Sequence, residues 1–316
     1  MKKFIKIPLI VLGTIVLIAA IGLTYFNVRG IPKYEVNIPA EIQTTKVEVT
    51  AQRVARGEKI ATVLCNGCHA NSNNRLVGKH IGDLPKEFGK AYSLNITQDK
   101  EDGIGNWTDG ELIYFLKTGI KRDGHFSPIM PKFPRMADED VKSIVAYLHS
   151  DRYPVLATKG KQPAQEPSLL LKVLTNTVIK PIEIVKEPIY IPDSTNLVAF
   201  GKYVANDMIA CYACHSKDFS KQDPLFPEKS LGFYGGGNGM PDLKGNIIYT
   251  SNLTFDEETG IAKYTEQQFI DAVKLCKKRD GTILRYPMIP HVTLTDYEVK
   301  AIYAYLKTIP KINNKI

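Results

Sequence analysis

Apolar and polar positions follow three different rhythms along the chain. From Ile7 to Phe26 apolar residues run without a charged interruption; about 20 residues at ~1.5 Å of rise each match a ~30 Å hydrocarbon layer. From Asn27 to Thr50 no helical period is sustained and Pro32 and Pro39 intervene. That stretch predicts a tether of at most about 80 Å when fully extended. Helical spacing then takes over. Val54, Ile60, Val63 and Leu64 lie on one face of a helix predicted within 47–64, and Leu197 to Ala210 is its counterpart. Leu112, Phe115 and Leu116 predict a helix over 109–118, and Phe269, Ala272 and Val273 one over 266–276. Asp138–Leu148 and Asp296–Leu306 carry the same period. Thr108 with Glu111 and Thr265 with Gln268 have capping-box spacing and mark two helix starts. Strand-like alternation is scarce, so the pattern predicts an all-α chain.

These helices recur because the sequence repeats itself. Asn95-Ile96-Thr97 with Asp99 and Gly103-Ile104 returns as Asn252-Leu253-Thr254 with Asp256 and Gly260-Ile261. Lys121-Arg122-Asp123-Gly124 returns as Lys278-Arg279-Asp280-Gly281, and Val145-Ala146-Tyr147-Leu148 as Tyr303-Ala304-Tyr305-Leu306. The predicted organisation is an anchor (1–28), a tether (29–50), one small helical domain (51–150), a linker (151–195) and a second helical domain (196–310). Pro154, Pro163, Pro167, Pro181, Pro188 and Pro192 exclude a long helix from the linker. A short one over 168–179 fits there, its leucines expected to cover the junction of the two domains. The second copy carries about 11 extra residues before Asn252, including Gly235-Gly236-Gly237. No Gly-Lys-Ser/Thr follows, so a turn-rich excursion is expected rather than a phosphate loop.

The candidate chemistry lies at the end of each first helix. Cys65-Asn66-Gly67-Cys68-His69 returns as Cys211-Tyr212-Ala213-Cys214-His215. Two cysteines three apart on one helical turn can both add to the vinyl groups of one porphyrin, and the next histidine is placed to reach its iron. With five Cys and six His in 316 residues, chance supplies roughly 0.0015 such pentapeptides per chain. A zinc site needs a second ligand pair at finger-like distance, and neither motif has one. A redox dithiol would want a βαβ setting. The predicted cofactors are therefore two covalently bound haem c groups, on Cys65 and Cys68 and on Cys211 and Cys214, with His69 and His215 as iron ligands.

The position opposite each histidine separates carriers from catalysts. Met130 lies 17 residues before Tyr147, and Met288 lies 17 before Tyr305. Both sit in proline-bounded loops that can hold a thioether at a metal. Matched register favours ligation over the usual role of methionine as core filler. Met136 and Met240 are the fallback candidates. His80, His125, His149 and His291 have no partner across the repeat and read as surface or local hydrogen-bonding groups, with service of one of them as an axial ligand as the lesser alternative. Cys276 aligns with Gly119 and reads as a buried thiol without redox duty. Trp107 and Tyr264 contact either a porphyrin edge or the core. Arg122 and Arg279 either pair with propionates or face solvent.

Lys2, Lys3 and Lys6 before the apolar run outweigh Arg29 and Lys33 after it, so the positive-inside tendency leaves the short amino terminus in the cytoplasm. A cleaved secretory signal, cut near Ala19 to Gly22, is the alternative to an anchor. Either way the motif-bearing region is exported. The formal net charge is +8. Basic runs suited to nucleic acid are absent, and the charge suits a solvated surface or the steering of an acidic redox partner.

Over about Ala51 to Ile309 the chain resembles the tandem-haem cytochrome c family that includes the cytochrome subunits of membrane-bound alcohol and gluconate dehydrogenases. The attachment motifs, the Asn-x-Thr-x-Asp segments, Gly103 to Thr108, the Arg-Asp-Gly segments and the methionine loops carry the resemblance. It departs in having two attachment motifs where those subunits commonly have three, Gln98 and Phe255 where the pattern has proline, and Ile289 between Met288 and Pro290. The resemblance implies class I cytochrome c domains with His/Met-ligated haems in the periplasm of a bacterium, tethered to its inner membrane by a single pass. The expected function is electron transfer without catalysis, between partners such as a dehydrogenase, a quinol-oxidising complex or a terminal oxidase. The competing expectations are a dihaem peroxidase or a haem-based sensor, each needing one open iron.

Overall fold

The computed structural model describes the backbone of residues 2–316 and the side chains of 8–316. The expectation about Lys2, Lys3 and Lys6 lies outside the described side chains. The apolar run forms helix α1 (Lys2–Arg29), with Leu9 through Val28 largely exposed. Its segment Pro8–Arg29 is long and apolar enough to cross a membrane.

The segment expected to hang free is docked instead. Tyr34 N–H donates to Gly124 O at 2.8 Å, and Val47 N–H donates to the Asp109 carboxylate at 2.8 Å. A short helix α2 (Ala40–Gln43) lies between them, with Ile42 against the core. Long-range backbone bonds of this kind leave no local sequence signal.

The first repeat is built on α3 (Ala51–Leu64), followed by the single turn α4 (Asn66–His69), then α5 (Asp109–Thr118) and α6 (Asp138–Leu148). The Thr108 capping box forms as predicted, and Gly119 ends α5 in the left-handed conformation, φ 81°. Helices α3 and α6 cross in contact at Gly57, where a Cβ would sit 1.9 Å from Ser143 O. Only glycine permits that approach. Beneath the crossing lie Ile60, Ala61, Val141, Ile144 and Tyr147, all fully buried.

Beyond α6 the chain stays bound to the first repeat. Strands β1 (Gly89–Lys90) and β2 (Glu166–Pro167) pair antiparallel. Helix α7 (Leu169–Thr177), capped by Ser168, fulfils the expected short helix. It does not cover the junction of the repeats: it lies along the end of α1, where Lys172 Nζ donates to Asn27 and Asn176 Nδ2 to Gly30 O.

The second repeat follows the same plan with α8 (Leu197–Lys202), α9 (Cys211–His215), α10 (Glu266–Leu275) and α11 (Asp296–Leu306). A Cβ on Gly201 would lie 1.8 Å from Ala301 O, reproducing the Gly57 crossing. Eight residues separate Gly57 from Cys65, but ten separate Gly201 from Cys211. The longer count is absorbed by a π-helical stretch, Tyr203–Met208, and by Ala210 at φ 57°. The excursion before Asn252 forms strands β3 (Gly239–Pro241) and β4 (Ile247–Tyr249), paired antiparallel. The all-α expectation is therefore met in part, since the helices are joined by long loops that carry two small strand pairs.

A polar junction joins the repeats. Arg56 on α3 meets Asp140 on α6 at 2.8 Å and Glu298 on α11 at 3.3 Å; Lys59 also pairs with Glu298. Tyr203 donates its hydroxyl to Asp140 at 2.5 Å.

Candidate functional site

The first cysteine motif begins where α3 stops at Leu64, and the second follows the π-helical stretch that ends at Met208. The carbonyl of Cys65 accepts from His69 N at 2.8 Å, so both cysteines and the histidine occupy one turn. Burial pushes the Cys65 and Cys211 thiols up to about 12, so both are neutral thiols at physiological pH. All five cysteines are free. Among the described residues no three His, Cys, Asp or Glu side chains converge as a metal cluster.

Both histidines are oriented in the same way. His69 Nδ1 lies 2.7 Å from Leu94 O, and His215 Nδ1 lies 2.9 Å from Ser251 O. A carbonyl only accepts, so each Nδ1 carries the proton and each Nε2 keeps its lone pair for a metal. Burial lowers both imidazoles below the ordinary histidine value, with Lys79 adding to the effect at His69. Both rings are thereby held neutral, as a metal ligand must be.

The repeated Asn-x-Thr segment explains why a carbonyl stands at that spot. Asn95 Oδ1 accepts from Thr97 N at 2.9 Å and from its hydroxyl at 2.8 Å, while Asn95 Nδ2 donates to Thr158 O at 2.8 Å. Asn252 makes the same two bonds to Thr254, at 2.9 and 2.8 Å, and donates to Ile312 O at 2.7 Å. Each asparagine fixes a turn and ties it to the chain beyond the last helix of its repeat. The residue before it then presents its oxygen to the histidine. Leu94 and Ser251 escaped sequence analysis because they act through the backbone, although the matched asparagines point directly to them.

In the second repeat these groups face a partly open cavity of about 390 Å³. Cys211, Cys214, His215, Met288 and Met240 line it, with Tyr264, Phe269, Leu294 and other apolar side chains. The residues fit a covalently held porphyrin: two cysteines and an oriented histidine line the cavity together with two methionines, and its remaining lining is mostly apolar. His291 also lines the cavity, and its Nδ1 is buried without a partner among the described residues. The sequence reading of His291 as a surface or locally bonded group is thus corrected. Burial, then proximity to His215, lowers its imidazole below the ordinary value.

Met130 and Met288 stand in corresponding loops. Ser127 N–H donates to Gly119 O and Phe133 N–H to Leu116 O, both at 2.9 Å. In the second repeat Leu284 N–H donates to Cys276 O at 2.7 Å and His291 N–H to Val273 O at 3.0 Å. Each methionine lies three residues before the second of these anchors, so the extra residue of the second loop precedes Met288. Met130 is half-buried against the core. Met136 is fully buried, and the corresponding Leu294 is 2% exposed, so Met136 acts as core filler. Cys276 takes the left-handed position of Gly119, at φ 55°, and its thiol donates to Met288 O at 3.7 Å.

The remaining candidates separate. Trp107 packs edge-on against Phe115 at 5.7 Å, whereas Tyr264 lines the second cavity. Arg122 donates to Asn106 O at 2.8 Å, and Arg279 lies 6.0 Å from the Tyr264 ring centre. Lys278 and Arg285 are the basic side chains that line the second cavity.

The two motif regions border each other. Val63 and Leu64, immediately before Cys65, form part of the wall of the second cavity. Tyr286, two residues before Met288, donates its hydroxyl to Asp83 of the first repeat. Thr293 donates to Lys59 O at 3.2 Å.

Residues 52–148 match the family described as cytochrome C oxidase, cbb3-type, subunit III. The chain is 28% identical over 270 residues to the fructose dehydrogenase cytochrome subunit of Gluconobacter japonicus, covering 81% of this chain and 52% of that protein. It is 26% identical over 280 residues to the cytochrome c subunit of alcohol dehydrogenase (quinone) of Gluconobacter oxydans, covering 82% of this chain and 55% of the relative. It is also 26% identical to a diheme cytochrome c-type protein of Cereibacter sphaeroides, covering 82% of this chain and 86% of that one. The chain spans about half the length of the two dehydrogenase subunits.

Proposed function

Taking the chain as a relative of these cytochrome c subunits, with a cytochrome c domain over residues 52–148, we propose that it is a membrane-anchored dihaem electron carrier. Two mainly helical cytochrome c domains (51–150 and 196–310) each hold one haem c, through Cys65 and Cys68 and through Cys211 and Cys214. His69 and Met130 serve one iron, and His215 and Met288 the other. The observation that carries this reading is the matched pair of histidine Nδ1 to carbonyl contacts, 2.7 Å to Leu94 O and 2.9 Å to Ser251 O, each directly after a Cys-x-x-Cys motif.

Bound haem supplies a one-electron ferric/ferrous couple, which a methionine ligand biases toward the ferrous form. The protein contributes orientation and exclusion of water. The carbonyls of Leu94 and Ser251 hold each imidazole in one tautomer, and the apolar walls of the second cavity lower the local dielectric. Val63 and Leu64, which precede Cys65 in the chain, line that cavity, which supports exchange of electrons between the two sites within one chain.

Helix α1 supports anchoring in the bacterial inner membrane, with the cysteine motifs on the periplasmic side. Relatives that are dehydrogenase cytochrome subunits support a dehydrogenase as donor. A quinol-oxidising complex or a terminal oxidase completes the partner classes. Reductive titration of the full chain in membranes tests this function. Two one-electron steps with a c-type visible spectrum are expected; a chain that takes up no electrons contradicts it.

A further inference from the structure

Resting on that reading, we infer that His291 is a reserve axial ligand for the second iron, and that the first iron has no equivalent. Three observations converge. First, His291 lines the same cavity as His215 and Met288 and lies three residues after that methionine. Its backbone is pinned: N–H donates to Val273 O at 3.0 Å, and its carbonyl accepts from Leu294 N at 3.1 Å. The backbone that carries the ring is therefore fixed beside the cavity.

Second, its Nδ1 is buried with no hydrogen-bond partner among the described residues. Buried polar atoms in native proteins are rarely left so, and an unpaired imidazole nitrogen at a metal pocket is what a ligand position requires. Third, the repeat supplies an internal control. The residue at the corresponding anchor of the first repeat is Phe133, whose N–H bonds to Leu116 O at 2.9 Å and which carries no donor atom. His125, the histidine of the first methionine loop region, has its Nδ1 2.8 Å from an Asp123 carboxylate oxygen, without hydrogen-bond geometry.

Imidazole is a harder donor than thioether and favours ferric over ferrous iron. The second site thus has two ligand choices of opposite redox preference within one loop. Were Met288 lost or displaced, His291 would supply a second nitrogen donor at that site. Loss of Met130 opens the first site.

The test uses full-chain holoprotein carrying Met130→Leu, Met288→Leu, His291→Phe or Met288→Leu with His291→Phe. Leucine preserves side-chain volume and keeps each loop packed. Haem content is measured first, then ferric spin state by electron paramagnetic resonance, near-infrared ligand signatures, and carbon monoxide uptake after reduction. Met130→Leu is expected to bind one carbon monoxide per chain. Met288→Leu is expected to stay low-spin with a nitrogen/nitrogen signature and to bind none, while the double variant binds one. His291→Phe alone keeps the wild-type signature. Two haems per chain with a high-spin, carbon monoxide-binding Met288→Leu overturns this inference alone, as does a low-spin second iron that persists in the double variant. Fewer than two haems in the unsubstituted chain overturns the underlying reading as well.

Discussion

Arg56 of the first repeat and Glu298 of the second meet at 3.3 Å, and the same guanidinium holds Asp140 at 2.8 Å. The Asp140 side chain is 0% exposed and that of Glu298 is 5% exposed. Each carboxylate is thus removed from water and depends on its partners. Arg56→Ala removes the charge that both share, and breaking a buried pair from one side costs about 3–5 kcal/mol. We expect loss of stability in that range by chemical denaturation, whereas Arg53→Ala, whose partner Glu139 is half exposed, should cost no more than about 1 kcal/mol.

Acid should loosen the same junction. Burial alone would raise the Glu298 carboxyl, but its bonds to Lys59 and Thr295 outweigh burial and hold it below the usual carboxylate range. A depressed folded-state value contributes stability that is present above the unfolded value, about 4.3, and is lost as pH falls through the folded one. Stability from this group should be flat from pH 7 to 5 and fall below about 4.3. Glu298→Gln should remove that part of the acid dependence, as read from denaturation midpoints against pH.

The two helix crossings predict an inverted response to a usually favourable change. Alanine for glycine inside a helix ordinarily stabilises by about 0.5–1 kcal/mol. At Gly57 and Gly201 the added Cβ would lie 1.9 and 1.8 Å from a backbone oxygen. Each Gly→Ala variant should instead be destabilised by about 1–3 kcal/mol, the cost of overpacking. Thermal melts of the two single variants check this.

Asn252→Ala removes the bonds to Thr254 and Ile312 that fix the turn behind Ser251. Leaving buried partners unsatisfied costs about 1–3 kcal/mol. The His215 orientation should loosen with it, broadening the resonances of that ring while those of His69 stay sharp. Asn95→Ala should reverse the pattern.

The parts legible in the sequence are those written locally. The Thr108 and Thr265 capping boxes lie within one turn of the helices they start, so α5 and α10 begin where expected. The matched spacing of Met130 and Met288 survives because both loops end on the same kind of backbone anchor. What stayed hidden depends on contacts distant in sequence. Tyr34 on Gly124, α7 along α1, and Val63 in the wall of the second cavity leave no periodic trace. His291 is not singled out among the four unmatched histidines for the opposite reason: pairing residues across the repeat sets aside a group that only one copy possesses. The π-helical stretch was readable in principle, since Gly201 lies two residues further from its cysteine than Gly57 does.

The most direct measurement is haem stoichiometry by pyridine haemochrome on the full chain, matured in a host competent for c-type attachment and compared with variants of each motif. Two haems per chain are predicted, falling to one when Cys65 and Cys68 are both changed to alanine and to one when Cys211 and Cys214 are. A value that stays unchanged in either double-alanine variant, or that is zero in the unsubstituted chain, contradicts the account.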